Sequence, residues 1–211
     1  MIMEQEINNA ELKIYPKLTN WDKKCMAYHE AGHAVCSYYL PERPPLLCIT
    51  IDPSNKAFGM IKTEDRPHHN DTEISLMSMI ATLLAGRISE EYFLGCKTTS
   101  CIYDLEAVHQ IATDMVLKFG MGETLGVCAL VTANEKILSE TQKDLICKDI
   151  QKIILTAEEK SKALIKIHQE ITCKLAEKLL QVGTVTEKDI KQFFESENSK
   201  NTKTSILATT N

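Results

Sequence analysis

The sequence predicts a mainly α fold of the α+β class, with one small β-hairpin or sheet and a C-terminal helical hairpin. Three observations predict it. Apolar residues recur at three- and four-residue intervals over most of the stretch from 20 to 182. One stretch, "LLCITIDPSNKAFGMIKTEDRP", instead sets apolar and β-branched residues on either side of a Pro-Ser-Asn turn. The chain of 211 residues can bury a sizeable core, and no internal repeat divides it.

Residues 1–19 are polar and weakly patterned and read as an N-terminal extension. "LTNWDKKCMAYHEAGHAVCSYYLPERPP" reads as the first helix, with Thr19 or Asn20 as its cap, Asp22 in its first turn and Pro41 past its end. The hairpin follows. A second helix opens at Asp71, the expected N-cap, with Ile74, Met77, Ile80, Leu83 and Leu84 on one face. A third follows "KTTS", carrying Ile102, Leu105, Val108, Ala112, Met115, Val116 and Phe119. "FGMGETLGVCALV" predicts a Gly-rich bend with a short extended piece. From Ser139 to about residue 182 the helical pattern returns, and its length predicts a hairpin of two helices. Gly183 ends it, Thr186 can cap a short last helix, "EKDIKQFF", and residues 198–211 read as a disordered polar tail.

Composition excludes some classes. With 24 Lys+Arg against 29 Asp+Glu and no basic cluster, nucleic acid is not the expected partner. No apolar run reaches the length of a membrane span, and the N-terminus has no signal-peptide pattern. The 8 cysteines are scattered without CxxC spacing and predict reduced, buried thiols in a cytoplasmic protein.

The chemistry lies in "YHEAGH". On a helix, His29 and His33 share a face and can point two imidazoles at one ion, with Glu30 beside it. That is the arrangement of a zinc metalloprotease: two ligands and a general base for the attacking water. Chance matches to H-E-x-x-H are rare in a chain with 6 histidines. Gly32, inside the helix, predicts a close approach to its backbone. Zinc needs a third protein ligand, and the candidates are Glu90, Glu91, Asp104, His68, His69, His109 and His168. Spacing alone does not choose among them.

The chain resembles the peptidase domain of the FtsH family, the membrane-anchored AAA zinc proteases, over residues 20–197. "YHEAGHAVCSYYLP" resembles the family's metal helix and "ITIDPSNKAFGMIKTEDRP" its hairpin. "LLAGRISEEYFLG" resembles "L.GGR.AEE...G", and "YDLEAVHQIATDMVLKFGMGETLG" resembles the segment with the family's third ligand. The resemblance implies His29, His33 and Asp104 as ligands of one Zn2+ per chain and Glu30 as the base. Glu90 and Glu91 then become structural residues or partners that orient an imidazole. It also implies that Phe58, Gly59, Met60, Ile61, Lys62 and Thr63 form the strand along which an extended substrate pairs. Tyr28 is a candidate oxyanion stabiliser, against the simpler expectation that it packs.

There are departures. Ser100-Cys101 stands where the family has Gly-Ala, and Ala85 replaces the first glycine of "GGR". Cys101 is close enough in sequence to Asp104 to be weighed as a ligand, but thiolate ligation belongs more to closed structural sites. The sequence holds no G-x-x-x-x-G-K-S/T stretch, so this chain is not expected to pull substrates by itself. The expectation is a zinc metalloendopeptidase for unfolded polypeptides or peptides, forming a hexamer as in the family or fed by a separate ATPase chain. The alternative is a non-catalytic or partner-dependent binding module in which zinc is structural.

Overall fold

A computed structural model describes residues 18–52, 59–65, 70–124 and 139–208. Among the described residues are six α-helices and one small sheet. The helices are α1 (Asn20–Tyr39), α2 (Glu73–Leu94), α3 (Ile102–Leu117), α4 (Glu140–Ile167), α5 (Gln169–Val182) and α6 (Glu187–Ala208). The strands are β1 (Leu46–Thr50), β2 (Met60–Thr63) and β3 (Thr184–Thr186).

α1 begins at a capping box. The Thr19 hydroxyl accepts from the Asp22 N–H, and the Asp22 carboxylate accepts from the Thr19 N–H at 2.8 Å. The helix is buried continuously from Cys25 to Ser37, because it is the central element of two cores. One core joins Ala27, Ala31 and Val35 to Ile49 of β1, Leu175 and Leu179 of α5, and Phe194 of α6. The other joins Cys36 and Leu40 to Ile80 and Leu84 of α2, Val108 and Met115 of α3, and Ala157 of α4. Gly32 lies where α1 crosses α2: a Cβ there would sit 2.5 Å from the Ala85 carbonyl oxygen and 2.6 Å from Ser89 Cβ. The close approach expected at this glycine is the α2 backbone.

The sheet order is β2-β1-β3, antiparallel throughout, with a bulge between Leu46 and Cys48. The β1–β2 hairpin forms as predicted, although its Pro-Ser-Asn turn lies outside the described residues. β3 was missed: "TVT" is too short to show alternation, and only pairing with β1 makes it a strand. Among the described residues, β2 has no strand on its outer side.

Other expectations need correction. The cap of α2 is Thr72, whose hydroxyl accepts from the Ser75 N–H at 3.0 Å; Asp71 instead accepts from the Ser75 hydroxyl. Ile74, Ile102, Leu105 and Phe119 are exposed, since only part of each periodic stripe meets a neighbour. The long C-terminal helical region breaks at His168. Its two arms touch each other sparingly; α4 packs on α2 and α3, and α5 on α1. α6 runs to Ala208, through most of the expected tail. Lys174 of α5 pairs with Glu197, and Tyr39 donates to Asn198, which docks the helix beyond Phe194. The extended piece expected after Gly126 lies outside the described residues.

Candidate metal centre

Two helices build the site and a third completes it. His29 and His33 point from α1 toward α2, one turn apart. On α2, Thr82, Gly86 and Glu90 recur at four-residue spacing and form the facing stripe. His29 Nδ1 lies 2.7 Å from Glu90 Oε1, and His33 Nδ1 lies 2.7 Å from the Thr82 carbonyl oxygen. A carbonyl only accepts, so His33 Nδ1 carries the proton; an ionised carboxylate imposes the same tautomer on His29. Both Nε2 lone pairs are thereby turned inward.

They converge. His29 Nε2 and His33 Nε2 are 2.9 Å apart, and Asp104 Oδ2, from the first turn of α3, lies 3.1 Å from the former and 3.4 Å from the latter. The three ligand atoms lie within 4.8 Å of one another. Gly86 is the floor: a Cβ there would lie 2.6 Å from both His29 Cε1 and His33 Nε2. Two imidazole nitrogens and a carboxylate oxygen aimed at one point need a shared proton or a metal cation between them. The nitrogen and oxygen donors match a catalytic zinc site with three protein ligands.

The charges follow from this packing. Burial alone would drive His29 toward its neutral form, but hydrogen bonds to Asp104 and Glu90, with the Glu30 charge, raise it to about 9. Burial opposes ionisation of Asp104 too, yet its hydrogen bonds to His29 and His33 hold it well below the usual carboxylate range. Glu90 is 0% exposed and also lowered: burial is outweighed by donors from His29, Ser100 and Thr98. Glu30, 6% exposed, is raised by burial against the opposing charges of His33 and His29. A Cβ on Gly59, just before β2, would lie 2.4 Å from Glu30 Oε1. The carboxylate of Glu30 therefore lies directly against the start of the edge strand.

The other candidates lie elsewhere. Glu91 is on the surface and pairs with Lys97 at 3.3 Å. His109 is exposed on α3, and the His168 ring stacks on Tyr39 at 3.7 Å between centroids. Cys101 Sγ donates to the Thr98 carbonyl oxygen and is no member of the ligand cluster. Tyr28 packs: its ring stacks on Phe93, and its hydroxyl lies 3.5 Å from Cys173 Sγ. Met60, Ile61, Lys62 and Thr63 form β2, and Gly59 precedes it; Phe58, His68 and His69 lie outside the described residues. Sequence reasoning missed Thr82 and Gly86, and it named Gly59 as part of the substrate strand without seeing that Glu30 packs against it. Glycines beside a histidine helix or opening a strand signal close approach, but not what approaches.

Comparison with known proteins identifies the family of the chain. The model of "Peptidase family M41" matches residues 17–193. An "ATP-dependent zinc metalloprotease FtsH 1" from Thermoanaerobacter sp. is 31% identical over 190 residues, covering 83% of this chain and 31% of that protein. The "ATP-dependent zinc metalloprotease YME1L1" of Mus musculus is 32% identical over 177 residues, 82% of this chain and 24% of that protein. A Nitrosococcus oceani "ATP-dependent zinc metalloprotease FtsH" is 29% identical over 189 residues, 83% of this chain and 29% of that protein. The chain thus spans less than a third of the length of these relatives. No helix among the described residues is long and apolar enough to cross a membrane. With a match across most of its length, the chain belongs to peptidase family M41, the FtsH-like zinc metalloproteases.

Proposed function

We propose that this chain is a zinc-dependent metalloendopeptidase that hydrolyses peptide bonds in unfolded polypeptides or peptides. The observation that carries the proposal is the convergence of His29 Nε2, His33 Nε2 and Asp104 Oδ2 beside a buried Glu30. These three residues would hold one zinc per chain. When bound, zinc supplies Lewis acidity for the scissile carbonyl and lowers the pKa of water at the site.

The remaining roles belong to the chain itself. Glu90 and the Thr82 carbonyl hold the two imidazoles in the tautomer that leaves Nε2 free. Glu30, made more basic by burial, accepts a proton from the attacking water and returns it to the leaving amine. The outer edge of β2, which carries no further strand among the described residues, pairs with the main chain of an extended substrate, and main-chain pairing reads little of the sequence. Gly59 brings this edge against Glu30, which places the substrate backbone beside the base.

The relatives are named as ATP-dependent, and this chain matches only part of their length. We therefore extend the proposal to a peptidase that works as a homo-oligomer, a hexamer as in the resembling family, or is fed by a separate ATPase chain. The test is cleavage of casein by the zinc-loaded chain beside its Glu30→Gln variant. Cleavage by the first alone supports an autonomous endopeptidase with Glu30 as base. Cleavage by neither, with zinc bound, overturns autonomy and favours a partner-dependent or purely binding role.

A further inference from the structure

Glu90 is also held by the short segment between α2 and α3. Its Oε2 accepts from the Thr98 N–H at 3.1 Å. Its Oε1, the oxygen that faces His29 Nδ1, also receives the Ser100 hydroxyl at 2.6 Å. Ser100 Oγ is 3.3 Å from His29 Nδ1 itself. Thr98 completes the arrangement: its Oγ1 accepts from the Ser100 N–H at 3.2 Å and lies 2.7 Å from Ser100 Oγ.

Proton directions follow from the acceptors. An ionised carboxylate only accepts, so the Ser100 O–H points at Glu90. Ser100 Oγ is then open to the Thr98 O–H. The two hydroxyls run as a chain, Thr98 to Ser100 to Glu90, in which each bond polarises the next. Three donors, the Thr98 N–H, the Ser100 O–H and the His29 Nδ1–H, fix the plane of Glu90 in an orientation that lets Oε1 meet His29 Nδ1 at 2.7 Å.

We infer that Ser100 is a positioning residue for the metal centre, acting through Glu90 and directly beside His29 Nδ1 to fix the imidazole that presents Nε2 to the ion. The inference rests on the proposed zinc site, and goes beyond it in assigning a specific task to a residue that departs from the family pattern. The hydroxyl shares the negative charge on Glu90 Oε1, so the carboxylate orients His29 without removing its Nδ1 proton. Ser100 is itself exposed, so shortening its side chain opens no core cavity.

The experiment is a zinc titration by competition with a chromophoric chelator on wild type, Ser100→Ala and Ser100→Thr, with the His29 Nδ1–H proton resonance followed by NMR in the zinc-loaded proteins. Removing the hydroxyl should weaken zinc binding about 10-fold, the lower end for outer partners of a metal-ligating histidine, and Thr should restore it to within about two-fold. The His29 Nδ1–H should exchange faster with solvent in Ser100→Ala than in wild type and Thr. Equal zinc affinity of Ser100→Ala and wild type overturns the inference while leaving the proposed zinc site intact. So does Ser100→Thr behaving like Ala, because the hydroxyl is then not what matters. A wild-type chain that binds no zinc overturns both this inference and the proposed function.

Discussion

The Glu30 carboxylate fills the space that a side chain on Gly59 would need: a Cβ there would stand 2.4 Å from Oε1, 2.9 Å from Cγ and 3.0 Å from Cδ. The base and the start of the edge strand therefore hold each other in place. Gly59→Ala should displace Glu30 and leave the ligands untouched. The expected outcome is unchanged zinc content with kcat reduced about 100-fold, the scale of an ångström-sized misplacement of a reacting group. Metal analysis beside single-turnover kinetics checks it.

Asp104→Ala removes the only one of the three converging ligand atoms that does not come from α1. Zinc affinity should fall by more than the roughly 10–100-fold typical of outer partners, because a ligand itself is lost. Glu91→Ala should leave affinity unchanged, since that carboxylate faces Lys97 at the surface. Full zinc occupancy in Asp104→Ala would contradict the assignment.

Glu90→Gln keeps the shape of the side chain but replaces one acceptor oxygen by a donor. His29 Nδ1 or the Thr98 N–H then meets the wrong partner. A loss of about 10–100-fold in zinc affinity is expected. In the metal-free protein the same change should lower thermal stability, because a fully buried polar group is left mispaired.

Gly32→Ala forces a methyl group to within 2.5 Å of the Ala85 carbonyl oxygen. The helix-propensity gain of ~1 kcal/mol is outweighed by overpacking of about 1–3 kcal/mol where backbone meets backbone. Chemical denaturation should show a net loss of stability. Zinc affinity should weaken with it, as α1 and α2 carry opposite walls of the same site.

Cys36 is buried and its thiol is pushed up to about 12 by desolvation, against a small opposing effect of the Ser161 hydroxyl. At pH 8 it should resist iodoacetamide in the folded chain while the exposed Cys147 reacts. The sign of the stability effect follows from the raised value. The contribution is fully present below the ordinary thiol pKa of 9.0 and is lost as pH rises from there through about 12. Mass-spectrometric mapping of alkylated cysteines from pH 8 to 11 checks the order.

Much of this was legible in the chain itself. Helical periodicity placed the helices, and H-E-x-x-H set two imidazoles on one face because i and i+4 on a helix cannot point apart. The capping pair Thr19–Asp22 and the hairpin depend on local geometry, which sequence encodes directly. The resemblance singled out Asp104 from 7 candidates that spacing left equal. Only the tertiary structure decided what stands behind these residues. Glu90 faces His29 and Glu91 faces solvent because α2 crosses α1 with Thr82, Gly86 and Glu90 inward. No periodic pattern announces this, since glycine, threonine and glutamate form no apolar stripe. β3 and the length of α6 were also tertiary matters. Three residues become a strand only when β1 offers its hydrogen bonds, and Tyr39 of α1 and Lys174 of α5 dock the polar helix as far as Asn198. The placement of Gly59 against Glu30 joins segments far apart in sequence, and it is the fold that brings the edge strand to the base.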